Sequence, residues 1–208
     1  METERGTVRI NLERGSTLSE FKNFLDDLEA AYLSIYQLPS ERSWRSLRRR
    51  YPFPIDFLGI DIFGLGPSVS LERLSGNIYP PDQIEITKIS IQSPGWIELL
   101  ASLNPLEQIR EYLKDRHERI ADKEWRWDTE KHRAILELEV LQWQADKEKT
   151  GAIKEFYNLL DHMDITPEEK LRILHERVGG PLARLGKHQD TGLLGTQNNN
   201  IDGHRKQL

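Results

Sequence analysis

"TVRINLERGSTLSEFKNFLDDLEAAYLSIYQL", residues 7–38, decides the fold class, because a strand pattern is followed at once by a helix pattern. In its first part, Val8, Ile10 and Leu12 alternate with polar residues, and Gly15 then interrupts the alternation. A period of two is typical of a strand with one buried face. The stretch therefore predicts a β-strand that begins a small sheet.

The second part of this stretch predicts a long amphipathic helix. Apolar residues recur every three or four positions between Leu18 and Tyr36, which places them on one helical face. Thr17 stands three residues before Glu20, the spacing of a capping box, and Pro39 ends the pattern. A strand followed by a helix favours an α+β fold in which the helix covers the sheet.

Further strands and turns are expected up to residue 92. The stretch "QIEITKISIQ", residues 83–92, predicts a strand. Its apolar spacing shifts by one between Ile86 and Ile89, which either a β-bulge or burial of both faces would explain. A short helix is expected over residues 40–49. Residues 51–82, which contain several Gly and Pro residues, predict one or two short strands and irregular turns.

Residues 93–149 are predicted to be helical. Ser93 and Pro94 suit a helix start, so a short apolar helix is expected over residues 96–103. Asn104 and Pro105 suit a second start, and no helix breaker follows before the end of this region. The second helix would contain about 45 residues and reach about 65 Å.

The long helix has one apolar seam rather than the two seams of a coiled coil. Its residues are spaced by seven: Leu106, Leu113, Ile120, Trp127, Ala134 and Leu141. Two alternatives, which do not exclude each other, remain open: the C-terminal helices fold back and cover this seam within one chain, or the helix is an arm for self-association or for a partner. Large aromatic residues near the seam favour some contact, since such residues are enriched at interfaces and costly to leave in water. The predicted interaction residues are Leu106, Leu113, Ile120, Trp125, Trp127, Leu141 and Trp143.

The C-terminal part predicts two short helices and a tail. The first helix covers "AIKEFYNLLDHM", and the second begins at Thr166 and ends at the glycines and proline of residues 179–181. Residues beyond Gly186 show no periodicity and are expected to be disordered. The predicted organisation is a small α+β domain over residues 1–92, helices over 93–149, a helical pair over 150–180, and a disordered polar tail over 181–208.

The composition narrows the functional class. The net charge of −5 and the pI near 5.7 argue against a surface built wholly for nucleic acid or anionic lipid. The absence of cysteine excludes disulfides and thiolate sites. No stretch approaches the roughly 18 apolar residues of a membrane span, and the first residues contain no apolar signal segment. We therefore expect a soluble, cytoplasmic protein without integral membrane insertion.

The sequence contains no catalytic or cofactor-binding motif that we recognise. None of the six histidines forms a His-Glu-x-x-His pair, and no phosphate-binding loop or Gly-x-Ser-x-Gly elbow occurs. Asp56 and Asp61 lie among glycines and are read as turn residues. We therefore expect no enzyme activity, no cofactor and no metal.

One basic cluster, within "ERSWRSLRRRYPF", combines positive charges with aromatic rings, as single-strand binders do. Its residues are Arg42, Trp44, Arg45, Arg48, Arg49 and Arg50. The alternatives are a solvated helix end, where arginines interact favourably with the helix dipole, and a site for an acidic protein partner.

The layout "ITKISIQSPGWIELLASLNPLEQIREYLKDRHERIADKEWR", preceded by the helix pattern "FKNFLDDLEAAYLSIY", resembles a group of uncharacterised bacterial proteins over roughly residues 7–130. In some members a comparable strand and Ser-Pro-Gly turn lead into a membrane segment. Here the apolar part stops after Leu103, so the resemblance implies neither membrane insertion nor an activity.

The favoured function is a non-catalytic protein-interaction or self-assembly module that uses the helical arm, with a protein partner or a second copy as its ligand. Homo-oligomers are therefore expected. The alternative is recognition of nucleic acid or nucleotides through the Arg42–Arg50 cluster.

Overall fold

The computed structural model describes residues 5–38, 78–90, 92–122, 151–162 and 165–195. Within these residues, three strands and five α-helices form an α+β fold around one buried core. The α+β prediction is thereby confirmed. The helix predicted over residues 40–49 and the strands predicted between residues 51 and 77 lie outside the described residues.

The sheet contains β1 (Arg5–Leu12), β2 (Glu85–Ser90) and β3 (Gly95–Ser102). β3 lies in the centre and pairs antiparallel with both neighbours. The strands predicted at β1 and β2 are confirmed. The register of β2 against β3 shifts between Ile86 and Lys88, so a bulge accounts for the apolar spacing.

The prediction of a helix over residues 96–103 is wrong, because most of these residues form β3. Ile97 and Leu99 are buried and alternate with the partly exposed Trp96 and Leu100. Since Trp96 and Leu100 are apolar as well, the alternation is hidden in the sequence. A central strand with apolar residues on both faces reads as a continuous apolar run, which a buried helix can also produce.

Helix α1 (Leu18–Tyr36) begins with the predicted capping box. The Thr17 hydroxyl accepts from the Glu20 N–H at 3.2 Å, and the Glu20 carboxylate accepts from the Thr17 N–H at 3.0 Å. The buried face of α1 includes Phe24, Leu28 and Tyr32. This face is the apolar stripe that the sequence predicts.

The remaining helices are α2 (Leu103–Asp122), α3 (Ala152–Asp161), α4 (Pro167–Leu174) and α5 (Gly180–Asp190). A π turn, His175–Gly179, joins α4 to α5, so the predicted stop at residues 179–181 is wrong. Pro181 is tolerated because it lies in the first turn of α5, directly after this widened turn.

Residues 181–195 belong to the folded core, so the prediction of a disordered tail is wrong for this part. Leu182 and Leu185 are fully buried on α5, and Leu193 and Leu194 are almost fully buried after it. Leu194 forms a β-bridge with Leu12 of β1. Two of these leucines lie within α5 and two follow its end, so no single helix or strand period relates all four in the sequence.

The core is continuous from one end of the described chain to the other. The same cluster contains side chains of the sheet, of α1 and α2, and of the C-terminal helices. Its first residue in the chain is Val8 and its last is Leu194. The predicted N-terminal α+β unit and the predicted C-terminal helical pair therefore contribute to one core.

Candidate functional site

The apolar seam of α2 begins inside the core. Leu106 and Leu113 are 1% and 0% exposed, and Ile109 and Tyr112 are buried beside them. α2 packs against α1, β1 and α5. Other elements of the same chain, α5 among them, cover Leu106 and Leu113, so these two residues follow the alternative in which the seam is buried within one chain.

The other predicted site residues are placed as follows. Ile120 lies in α2, which ends at Asp122 in the described chain. The rest lie outside the described residues: Trp125, Trp127, Leu141 and Trp143 of the helical arm, and Arg42, Trp44, Arg45, Arg48, Arg49 and Arg50 of the basic cluster.

Arg116 of α2 is a buried charge that the sequence pattern did not identify. Its side chain is 1% exposed, and its guanidinium binds the Asp190 carboxylate through two contacts of 3.0 Å. Gly186 lies against the same guanidinium and leaves room for it. In the sequence, Arg116 stands at a position where the second seam of a coiled coil would have an apolar residue. In the fold, its guanidinium joins α2 to α5.

An open apolar cleft lies between α1 and the segment that contains β2, and it is called the α1–β2 cleft below. It encloses about 320 Å³. Most of its lining is apolar, with Glu29 and Gln83 as its polar side chains besides the Tyr32 hydroxyl. The lining residues are Leu25, Leu28, Glu29, Tyr32, Leu33, Ile78, Gln83, Ile84, Ile86 and Leu99.

The cleft exists because the described helices do not cover the whole sheet. α2 packs against β1 and β3, whereas β2 is, among the described strands, the edge strand on the other side of β3. As a result, Ile86 and Ile89 remain 47% and 44% exposed, although they face the same side as the core. Tyr79, just before this strand, is 65% exposed. Three of the four exposed large apolar side chains in the described residues thus lie in this one segment.

Two tyrosines of α1 hold the wall of the cleft in place. The Tyr32 hydroxyl donates to the Asp82 carbonyl at 2.5 Å and accepts from the Ser102 N–H at 3.2 Å. The Tyr36 hydroxyl donates to the Asp82 carboxylate at 2.7 Å. Burial raises the pKa of both hydroxyls to about 12, so they remain neutral donors. The turn Pro80–Asp82, which leads into β2, is fixed by these bonds.

The outer face of the sheet carries paired charges beside the partly exposed Trp96 and Leu100. The Glu98 carboxylate lies 3.1 Å from the Lys88 ammonium and 3.5 Å from the Arg9 guanidinium. Desolvation alone would raise the pKa of Glu98, but the hydrogen bonds from Lys88 and Thr87 outweigh it, and the pKa is lowered. Glu98 therefore remains an anion that anchors Lys88 of the edge strand to the central strand.

Asp27 of α1 and His188 of α5 form a carboxylate–histidine pair. The Asp27 carboxylate lies 3.0 Å from His188 Nε2 and 3.3 Å from Arg184 Nε. The His188 ring also packs edge-on against Phe24. Among the described residues, no hydroxyl side chain bonds to this ring, so the nucleophile of a catalytic triad is missing. The contacts join α1 to α5 and are structural.

The described residues contain no group of three or more His, Asp or Glu side chains arranged to hold a metal ion. No helix among them combines the length and the apolar character that crossing a membrane requires.

Comparison of the chain with protein-family models, with curated proteins and with solved structures found no match.

Proposed function

We propose that the protein is a non-catalytic interaction module that assembles with a second copy of itself. One observation supports the proposal: exposed apolar side chains gather on the edge strand β2, beside the α1–β2 cleft. An exposed strand edge with apolar neighbours is a template for pairing with another chain. The proposed interface is therefore a different surface from the buried beginning of α2.

The charges of the edge strand favour a copy of the same strand over a strongly acidic or basic partner. Glu85 and Lys88 put one negative and one positive charge on the outer face of β2. A partner with charges of a single sign would repel one of them. An antiparallel copy brings opposite charges near each other instead.

The helical arm remains a proposed second contact. Its predicted interaction residues now exclude Leu106 and Leu113, because both are core residues. The proposal keeps Ile120, Trp125, Trp127, Leu141 and Trp143 as residues that would contact the second copy. Large aromatic residues are enriched at such interfaces.

The test is the molar mass in solution, measured by light scattering over a concentration series at low and at high salt. We expect the mass to rise from 24.3 kDa towards twice that value as concentration increases. Because the proposed contact is largely apolar, the rise should persist at high salt. A mass of 24.3 kDa at every concentration would contradict the proposal.

A further inference from the structure

The two faces of β2 carry different chemistry. Ile86 pairs with Leu99 and Ile89 pairs with Ile97, so both isoleucines lie on the core-facing side of the sheet. The outer side of β2 carries Glu85, Lys88 and Ser90. Their partners on β3 are, in the same order, Leu100, Glu98 and Trp96. Side chains on one face of a regular strand are two or four positions apart. Because of the bulge at Thr87, the two isoleucines share a face although they are three positions apart.

We infer that β2 pairs antiparallel with β2 of a second copy, about a two-fold axis that passes between Thr87 and Lys88. The inference rests on the proposed function and names its interface. In this register Ile86 lies opposite Ile89 of the second copy. By the two-fold symmetry, Ile89 lies opposite Ile86 of the second copy. Glu85 lies opposite Ser90 of the second copy. The two three-stranded sheets then form one sheet of six strands.

Face complementarity selects this register. Because side chains directly opposite each other lie on the same face, an apolar residue should meet an apolar residue. A shift by one residue places Ile86 opposite either Lys88 or Ser90 of the second copy. Both of those residues are polar and belong to the outer face. Such a shift would leave the isoleucines without apolar partners, whereas the inferred register buries all four.

The charges also fit this register. Glu85 binds Arg5 of its own chain at 2.7 Å and also lies diagonally next to Lys88 of the second copy, at a distance that long side chains can bridge. Lys88 lies opposite Thr87, so no two like charges face each other directly. Lysine on an edge strand often prevents pairing, but the Lys88 ammonium is held by Glu98 at 3.1 Å. Its charge is therefore partly balanced within its own chain.

The chain contains no cysteine, so disulfide trapping can test the register directly. One double variant is made, Glu85→Cys/Ser90→Cys, which leaves the isoleucines of the inferred interface in place. Opposite Cα atoms of antiparallel strands lie about 4.5–5.5 Å apart, which is within the range of a disulfide. After mild oxidation we expect a covalent dimer on a non-reducing gel.

The matched controls are the single variants. In the inferred register Glu85 of one copy lies five residues along the strand from Glu85 of the other, or about 17 Å. A disulfide needs Cα atoms within about 7 Å. Glu85→Cys alone and Ser90→Cys alone should therefore stay monomeric on the gel. Equal cross-linking of single and double variants would overturn the register.

Mass measurements distinguish failure of the inference from failure of the proposed function. If the parent chain is dimeric but the double variant does not cross-link, the inference is overturned and self-assembly through another surface stands. If the parent chain is monomeric at every concentration, both are overturned.

A second pair of variants tests the strand without introducing cysteine. Ile89→Lys places an unpaired charge in the inferred interface and should raise the dimer dissociation constant at least tenfold. Leu18→Lys is the control, because Leu18 is 86% exposed and lies at the start of α1. Circular dichroism verifies that both variants fold. Equal dimerisation of the two folded variants would overturn the inference.

Discussion

At the residue scale, Arg116 shows how a charge can join two helices. Removing a guanidinium from water has a large desolvation cost, which two hydrogen bonds to one carboxylate offset. Asp190 supplies this carboxylate, while Gln189 donates to the Leu113 carbonyl at 2.8 Å. The end of α5 thus bonds both to a side chain and to the backbone of α2. Gly186 permits this close approach.

Gly186→Ala is predicted to destabilise the fold. The added Cβ would lie 2.7 Å from Arg116 Nε, and the guanidinium is held by Asp190 and cannot move freely away. The cost of overpacking exceeds the gain in helix propensity from alanine, so we expect the free energy of unfolding to fall by roughly 1 kcal/mol. Urea unfolding measures it. The control is Gly15→Ala, where a Cβ meets no atom within 4 Å. Equal unfolding midpoints for the two variants would contradict the argument.

Tyr32→Phe is predicted to destabilise the fold by about 1–3 kcal/mol, because it leaves buried polar groups without their partner. The variant removes the bonds to the Asp82 carbonyl and to the Ser102 N–H. Tyr157→Phe is the matched control, since the Tyr157 hydroxyl forms no hydrogen bond among the described residues and its ring contacts Lys170. Thermal unfolding compares the two variants. A larger loss in the control would refute the assigned role of Tyr32.

At the element scale, the capping box of α1 should make stability depend on pH. Hydrogen bonds from Arg14 and then from the Thr17 backbone lower the pKa of Glu20 from 4.5 to about 2. Because the folded pKa is the lower one, the stabilisation is complete above about pH 4.5 and is lost as the pH falls towards 2. The difference in Tm between the parent and Glu20→Gln should therefore narrow over this window. A constant difference between pH 7 and pH 2 would contradict this account.

The elements also show what the sequence could predict. β1, the bulged β2 and the capped α1 have clear periods and turn residues, and each was predictable. β3 was not, because Trp96 and Leu100 hide its alternation. α5 was not, because a π turn carries the helix past two glycines and Pro181. In both cases packing from elsewhere in the chain overrides a local signal.

The candidate site was less predictable than the fold. The sequence pointed to the seam of α2, but its first residues are the core face of that helix. Nothing in the pattern of residues 83–92 says that β2 is an edge strand, since strand order is a property of the whole sheet. The exposure of Ile86 and Ile89 follows from that order and from where α2 packs. Long-range pairing, which no local period encodes, therefore determines the surface.

At the scale of the whole molecule, the two ends of the described chain close the core together. The Glu13 N–H donates to the Leu193 carbonyl at 3.0 Å, and the Gly195 N–H donates to the Asn11 carbonyl at 3.1 Å. The segment after α5 thus lies against the end of β1. Among the described residues, β1 is therefore the protected side of the sheet, and β2 is the open side on which the proposed assembly depends.

This closure predicts different outcomes for two shortened chains. A chain that ends after Gly179 loses Leu182, Leu185, Leu193 and Leu194 from the core. Burial of one leucine is worth roughly 1.5–3 kcal/mol, so their sum, roughly 6–12 kcal/mol, approaches the whole stability of a typical domain. We expect this chain to be unfolded by circular dichroism and rapidly degraded by protease.

The matched control is a chain that ends after Gly195, which retains all four leucines and the bonds to β1. It should unfold cooperatively, with a Tm within a few degrees of the full chain. If the chain that ends after Gly179 also unfolds cooperatively near that temperature, the C-terminal leucines do not hold the core together. The sheet, α1 and α2 would then be a sufficient folding unit. If only the longer chain folds, the core requires both ends of the described residues, and interface variants must be made in the full chain.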